Sequence, residues 1–412
     1  MKFVNVLFVV LLYCTHLSAQ VTLPNNLYFT HIGVEDGLCQ NTVCCILQDH
    51  LGFIWLGTKD GLTRYDGYRF RVFKHDAADP MSIGNNFIRV LYEDADGLIW
   101  IGTNVGVYIY NPETENFRKF DVATERGDVI SREVSSIKCD SSGDLWIGVN
   151  WQGVFRYDRR DESLELYEPV PGDTTSLSSV HVWDLCFDGD GNLWVGSQNG
   201  GLDRYDRETD RFVRHRLKGL SDVSRIVLDK QNQLLLGTMK DGLFSFNPYM
   251  GTCQPLLLDS GHKDLFVRAI FVRNSREVVV GTENGIYIYD CVTRKTRHVN
   301  QELGNPYSLS CKAVYSIYCD KEGALWIGTY FGGVNYLPPS SSLIFDKFYP
   351  IGHSDRLSGK AVREFVRDEN GIIWIGTEDQ GLNRFDPVSG KFTHYNSRNS
   401  GLSCDNVHGL CV

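Results

Sequence analysis

Past its first twenty residues, the 412-residue chain has no run approaching the ~18–20 apolar residues that a membrane-spanning helix needs. It has no excess of basic residues either: 41 Lys and Arg face 51 Asp and Glu, a formal net charge of −10, which argues against a nucleic-acid-binding surface. Pro and Met are sparse, at 12 and 4. The 12 cysteines form no disulfide framework. Eleven lie beyond position 19, an odd number at irregular spacing, and Cys44-Cys45 is a vicinal pair inside an apolar run. Cys45, Cys139, Cys186 and Cys319 fall in strand-like patterns where a thiol acts as a small hydrophobe, and no pair has metal-ligand spacing. No G-x-S-x-G, P-loop or H-E-x-x-H occurs. With 42% hydrophobic and 22% charged residues, disorder and collagen-like repetition are excluded as well.

What is abundant is glycine, at 40, together with 8 Trp, 20 Tyr and 22 Phe. That mixture favours many short strands joined by tight turns, and therefore an all-β fold. Met1 and Lys2, the apolar run Phe3 to Leu12 broken by Asn5, and Leu17-Ser18-Ala19 read as a signal peptide over 1–19, cleaved after Ala19. Tyr13 precedes Cys14 where lipidation requires a small residue, so export to the periplasm without a lipid anchor is expected.

A repeat organises the remainder. Copies of F-I-W-L-G-T share Gly57, Gly102, Gly148, Gly196, Gly237, Gly281, Gly328 and Gly376, at intervals of 41 to 48 residues. That is the length of one four-stranded propeller blade. Each unit reads as an alternating strand such as VCCILQD, a D-x-x-G turn, a W-I-G-T strand, a polar loop, a G-L-x-R-Y-D strand and a last strand such as FRVFKH. The Asp suits a bond to its own turn, and the Gly a positive φ. Trp55, Trp100, Trp146, Trp194, Trp326 and Trp374 recur at one position, where a large aromatic fills the wedge between blades. Units five (DKQNQLLLGT) and six (RNSREVVVGT) lack the turn Gly and the Trp, but keep Gly-Thr and the following glycine.

The pattern D-x-x-G-x-[LI]-W-[IL]-G-T-x-x-G-[LV]-x-x-[YF]-[DN], from about Leu27 to the last residue, resembles the two-component regulator propeller repeat. The resemblance implies the periplasmic sensor region of a hybrid histidine kinase from bacteria of the Bacteroides group. In that family two seven-bladed propellers precede a β-sandwich, an inner-membrane helix, a histidine kinase and usually a receiver with a DNA-binding domain. It further implies a homodimeric receptor, anchored in the inner membrane, that regulates polysaccharide use.

Eight units allow one ring of eight blades or a ring of seven with a second ring beginning. Pro338-Pro339-Ser340-Ser341-Ser342 after unit seven reads as a linker, and favours a seven-bladed β-propeller of four-stranded antiparallel blades over 20–338. The first blade of an incomplete second propeller then occupies 339–412. Tyr28 to Ile32 is expected to close the first ring as the outer strand of blade seven, and Leu343 to Tyr349 to play that part in the second. Gly401 to Val412 resembles the leading loop and first strand of a ninth unit, so the chain reads as stopping in mid-repeat.

Asp188-Gly189-Asp190-Gly191-Asn192 has calcium-loop oxygens, but the same Asp and Gly recur in six units and no bidentate Glu follows, so the turn explanation is preferred. The D-x-x-G-x-x-W phrase differs by one residue from the sialidase Asp box. Glu93, Glu133 and Glu364 sit at differing strand positions and form no glycosidase pair. No kinase H-box, nucleotide-binding glycine motif or receiver Asp follows Gly376. The expectation is therefore a chain without catalysis, cofactor or metal, and without direct nucleic-acid binding.

A binding face is the better candidate. Five residues before each turn position stand Cys44, Arg89, Ser135, Trp183, Ser224, Arg268 and Tyr315. Arg, Trp and Tyr there suit stacking on sugar rings and pairing with carboxylate or sulfate. Loops expected on the same face carry Lys59, Asp60, Asn104, Asn150, Trp151, Gln198, Asn199, Lys240, Asp241, Asn284, Tyr330 and Phe331. Arg89, Trp183, Arg268, Tyr315, Trp151, Asn150, Gln198, Tyr330 and Phe331 are the candidate ligand contacts, for an oligosaccharide or glycan fragment. The competing reading makes Arg89 and Arg268 salt-bridged lining and Trp183 packing. A protein–protein scaffold and a carbohydrate-active enzyme are the alternative functions.

Overall fold

The computed structural model describes residues 22–217, 220, 222–257, 265–339, 347–350 and 356–412. The expected signal peptide, residues 340–342 of the expected linker, and residues 343–346 of the expected second closing strand lie outside them. Within the described residues there are 32 strands and one 3-10 turn. The strands form four-stranded antiparallel sheets, so the fold is an all-β propeller. The chain divides into two compact units. One takes residues up to Asn25, Phe29–Asn300 and Leu309 to 339; the other takes Asn26–Tyr28, Gln301–Ser308 and the described residues after 346.

The first unit holds seven sheets among its described residues. Their innermost strands are Val43–Gln48, Ile88–Glu93, Val134–Cys139, Val182–Phe187, Arg225–Leu228, Val267–Val272 and Val314–Cys319. Each touches the next in chain order, and the seventh returns against the first. Closure follows the expected route. Thr30–Ile32 is the outer strand of the seventh sheet, with Thr30, His31 and Ile32 opposite Tyr336, Asn335 and Val334. A last strand that would be an open edge is thereby paired. Upstream, the Glu277 carboxylate accepts from the Leu23 N–H (2.9 Å), which ties the start of the described chain to the sixth sheet.

Each letter of the repeat has a job. In the first sheet Asp49 Oδ1 accepts from the Phe53 N–H (2.9 Å), and Oδ2 accepts from Trp55 Nε1 (2.7 Å). The same carboxylate-to-indole bond joins Asp94 to Trp100, Asp140 to Trp146, Asp188 to Trp194 and Asp320 to Trp326. Each indole, held by its own turn, enters the apolar gap to the next sheet; Trp55 packs with Leu62, Ile83, Ile88 and Tyr110. The W-I-G-T glycine is where sheets approach most closely: a Cβ on Gly102 would lie 2.4 Å from Val90 and 2.6 Å from Val134 of the next sheet. The threonine closes the loop, as Thr58 Oγ1 donates to the Gly61 carbonyl (2.8 Å). In unit five Asn232 replaces the turn glycine and adopts φ +60°, a conformation asparagine tolerates better than most residues. Units five and six therefore keep their sheets without the Trp.

The second unit contains one four-stranded sheet, Val362–Arg367, Ile373–Thr377, Leu382–Asp386 and Lys391–Tyr395, around Leu357, Phe385 and Phe392. Its first strand is exposed, Phe365 at 74%. Of the expected second closing strand only Lys347 to Tyr349 are described, and these carry no strand. One expectation is corrected here: the ninth unit's first strand is absent from residues 401–412. Its leading loop nonetheless docks as in other units, with the Gly381 N–H donating to the Asp405 carbonyl (2.8 Å) as the Gly61 N–H does to Asn86 (2.7 Å).

Candidate functional site

The residues five before the turn are defined by a common irregularity. Cys44, Arg89, Ser135, Trp183, Arg268 and Tyr315 each sit at the break in register between an innermost strand and its neighbour. A bulge re-aims the side chain that occupies it. The loop after each W-I-G-T strand returns to the same level. The backbone N–H groups of Lys59, Asn150, Gln198 and Tyr330 donate to the carbonyls of Thr42, Glu133, His181 and Ala313, each two residues before a bulge. Bulges and loops thus share one rim of the ring, as the sequence pattern implies.

Along that rim side chains form a continuous arc from the sixth sheet to the third. Arg268 lies over the rings of Phe266 (3.8 Å) and Tyr315 (4.7 Å) and pairs with Glu283 (2.6 Å). Tyr315 meets Tyr330 (5.0 Å), which meets Phe331 (4.3 Å). Lys59 Nζ donates to the Tyr330 hydroxyl (2.9 Å) and lies over its ring (4.1 Å). Arg89 lies over Phe87 (4.4 Å), donates to Asn104 Oδ1 (2.8 Å) and pairs with Glu133. Arg89 and Arg268 are therefore salt-bridged lining, with their planes stacked on aromatic faces. Burial pushes the Tyr315 hydroxyl up to about 12, against the pull of Arg268, so it is a neutral donor at physiological pH.

A second group lies between the third and fourth sheets. Trp151, 65% exposed, meets His181 edge-on at 4.1 Å, and His181 Nδ1 lies 3.2 Å from Asn150 Oδ1. Trp151 has φ +71°, a left-handed conformation costly for an aromatic residue, whereas its counterpart Asn199 holds φ +58° at lower cost. Gln198 joins this group through the His181 carbonyl. Trp183 stands apart: its Nε1–H is buried and has no acceptor among the described residues. A cavity of about 690 Å³ elsewhere in this unit, between the closing strand and the first sheet, is lined by none of the expected contacts. Its rings are turned on one another, Tyr65 on Phe70 at 4.4 Å and Trp326 on Tyr336 at 4.9 Å.

The sequence pattern of the two-component regulator propeller matches residues 37–60, 82–105, 176–199, 308–331 and 356–379. These five segments carry the two-component regulator propeller repeat. Among solved structures, the extracellular domain of a hybrid two-component system from B. thetaiotaomicron is 28% identical with a TM-score of 0.76, over 90% of this chain and 49% of that one. A second such domain from the same organism, at 21% identity and TM-score 0.66 over 92% of this chain and 49% of that one, shows the shared fold. A 59-residue stretch, 14% of this chain, is 39% identical to a histidine kinase of Formosa agariphila and covers 4% of it. The chain spans about half the length of the two solved domains.

The arc carries exposed ring faces at Trp151 and Phe331 (72% exposed), with fixed charged groups along it. Sequence reasoning missed Phe87, Phe266, His181 and Arg225. The two phenylalanines had a signal, since F-x-R occurs at both arginine bulges, Phe87 to Arg89 and Phe266 to Arg268. Among the described residues no helix is long and apolar enough to cross a membrane, and no cluster of acidic, His and Cys side chains is arranged for a metal ion.

Proposed function

We propose that this chain is the ligand-sensing part of a periplasmic receptor of the hybrid two-component type, and that its ligand is an oligosaccharide released from a polysaccharide. In this reading residues 20–338 form a seven-bladed propeller and 339–412 begin a second, whose exposed Phe365 strand face is suited to a following blade. Binding would be passed to a kinase region of the same receptor, which acts as a homodimer, and the propeller itself is non-catalytic. The observation that carries the reading is the continuous arc from Arg268 through Tyr315, Tyr330 and Lys59 to Arg89, with Trp151 exposed and strained beyond it. Strain is retained where a site uses it, and an exposed Trp in a left-handed conformation has no packing role that repays its cost.

The test is calorimetric titration of the secreted chain with size-fractionated oligosaccharides from a broad set of polysaccharides. One fraction is expected to bind, and Trp151→Ala and Tyr330→Ala to weaken it at least tenfold, since loss of a stacked ring removes about 1.4 kcal/mol or more. Silence across the set, or binding untouched by both variants, contradicts the reading.

A further inference from the structure

Arg225 opens the innermost strand of the fifth sheet and is the most unusual charge in the ring. Its Nε donates to the Arg268 carbonyl (2.7 Å) and its Nη1 to the Ser224 carbonyl (2.9 Å), both neutral acceptors. Among the described residues no carboxylate pairs with it. Asp184 is the acid whose field reaches it, but that carboxylate is already engaged. Its Oδ1 accepts from Ser136 Oγ (3.0 Å) and the Leu185 N–H (2.9 Å), and its Oδ2 from the Ile226 N–H (3.0 Å). Burial holds Arg225 below the usual guanidinium range, opposed by Asp184 and reinforced by repulsion from Arg268 and Arg89. A half-buried cation without a contacting anion carries a desolvation cost that a ligand's counter-charge would offset.

The location of this charge follows from its place on an innermost strand of the ring. Arg225 interacts electrostatically with Cys44, Arg89, Asp184 and Arg268, which belong to the first, second, fourth and sixth sheets. Cys44 in turn feels Arg89, Lys59, Arg268 and Arg225. Cys44, Arg89 and Arg268 stand at the bulges of innermost strands, Arg225 opens another and donates to the Arg268 carbonyl, and innermost strands line the axis of a propeller, so these groups surround the axial channel at the rim bearing the arc. Two of the four cations, Arg89 and Arg268, have carboxylate partners in Glu133 and Glu283. Lys59 has a phenol as its polar partner, and Arg225 has carbonyls. At the same ring of bulges the buried Trp183 Nε1–H waits for an acceptor. Two cations without a carboxylate partner, Lys59 and Arg225, and one unpaired N–H therefore stand on one rim of a chain whose net charge is −10, and the walls of a channel focus that local field.

We propose that Arg225, Arg268, Arg89 and Lys59 form an oxyanion-binding site at the rim end of the axial channel, taking a carboxylate, sulfate or phosphate group of the ligand. This deepens the reading above, on which it rests for the identity of the face. The bonds are charge-assisted and the guanidinium forks suit two oxygens of one group.

The test uses the whole chain and three probes: sodium sulfate, trigalacturonate, and the same trisaccharide with its carboxylates reduced to alcohols. Sulfate is expected to raise the thermal midpoint saturably beyond sodium chloride of equal ionic strength, and Arg225→Gln to abolish that increment while Arg225→Lys retains part of it. If Arg225→Gln does not fold, Lys59→Gln serves, with at least a threefold loss of sulfate affinity expected. Trigalacturonate is expected to compete with sulfate, and its reduced form to bind at least tenfold more weakly. Trigalacturonate tighter than sulfate assigns the site to an acidic sugar, and equal affinity assigns it to a free anion; both support the site. No saturable sulfate effect, or an effect unchanged in Arg225→Gln and Lys59→Gln, overturns it. If neutral and acidic sugars then bind alike, the glycan reading survives alone. If sulfate binds and no sugar does, the anion site survives and the glycan reading falls.

Discussion

Asp203 is fully buried in the third strand of the fourth sheet, where its Oδ2 accepts from the Ser178 N–H (3.0 Å) and hydroxyl (2.5 Å) while Oδ1 has no partner among the described residues. Burial raises its pKa from 3.8 to about 6, against the Ser178 bonds that lower it. The folded state therefore holds a proton that the unfolded chain releases near 3.8. The stability this contributes is complete below pH 4 and is lost as pH rises through 6, a difference of about 3 kcal/mol at 1.4 kcal/mol per unit. Asn335 and Asn383 occupy the equivalent place, and each accepts the corresponding Ser N–H, from Ser310 and Ser358, at 2.8 Å. Their amides also donate, Asn335 to the Ser310 hydroxyl and Asn383 to the Ser358 carbonyl. Asp203→Asn is thus expected to stabilise the fold by about 1–3 kcal/mol at pH 7 and to flatten the rise in stability on acidification from pH 7 to 5, measured by urea unfolding at both pH values. A loss of stability at pH 7 would contradict this. The turn aspartates behave oppositely. Asp49→Ala strands the buried Trp55 indole N–H and the Phe53 N–H, at a cost of about 2–4 kcal/mol. Asp229→Ala in the fifth sheet, where Leu235 replaces the Trp, should cost about 1 kcal/mol in the same unfolding assay.

At the scale of elements, the closing strand is short but stands between the ring and an open edge. A chain beginning at Gly33 loses the pairing of Thr30–Ile32 with Val334–Tyr336 and the Leu23 tie to Glu277. Differential scanning calorimetry should show a midpoint lower by at least about 5 °C, and light scattering should show self-association through the exposed edge. An unchanged midpoint would mean that closure adds nothing. This strand was legible because LYFTHI precedes the first repeat while the seventh unit lacks a fourth strand of its own. The blades were legible for a similar reason: D-x-x-G, Trp and Gly-Thr each answer a local demand of turn, gap or close approach, and so recur at fixed spacing. The anchoring of each leading loop was not. Ser178 to Asp203, Ser310 to Asn335 and Ser358 to Asn383 are each 25 residues apart, and no local rule pairs a serine with an acid or amide at that distance. Of the expected second closing strand, 343–349, only Lys347 to Tyr349 lie among the described residues, and these carry no strand.

At the scale of the whole molecule, the ring gathers onto one rim residues spread over more than 270 positions, from Lys59 to Phe331. The sequence pattern placed Arg89, Arg268, Tyr315 and Tyr330 there because blade periodicity is positional. It offered paired arginines only as the competing reading, and did not reveal that Arg225, one position past the counterpart of the bulge residues, lacks a contacting carboxylate. Pairing depends on which loop of the neighbouring sheet carries an acid, a matter of packing between blades. The central claim is that this rim receives the ligand. Hydrogen–deuterium exchange of the chain with and without a saturating polysaccharide digest tests it most directly. Slowed exchange is expected in the segments holding Cys44 and Lys59, Phe87 to Arg89, Asn150 and Trp151, and Tyr330 and Phe331. No change in any of these segments, or protection confined to the outer strands of the sheets, would contradict it.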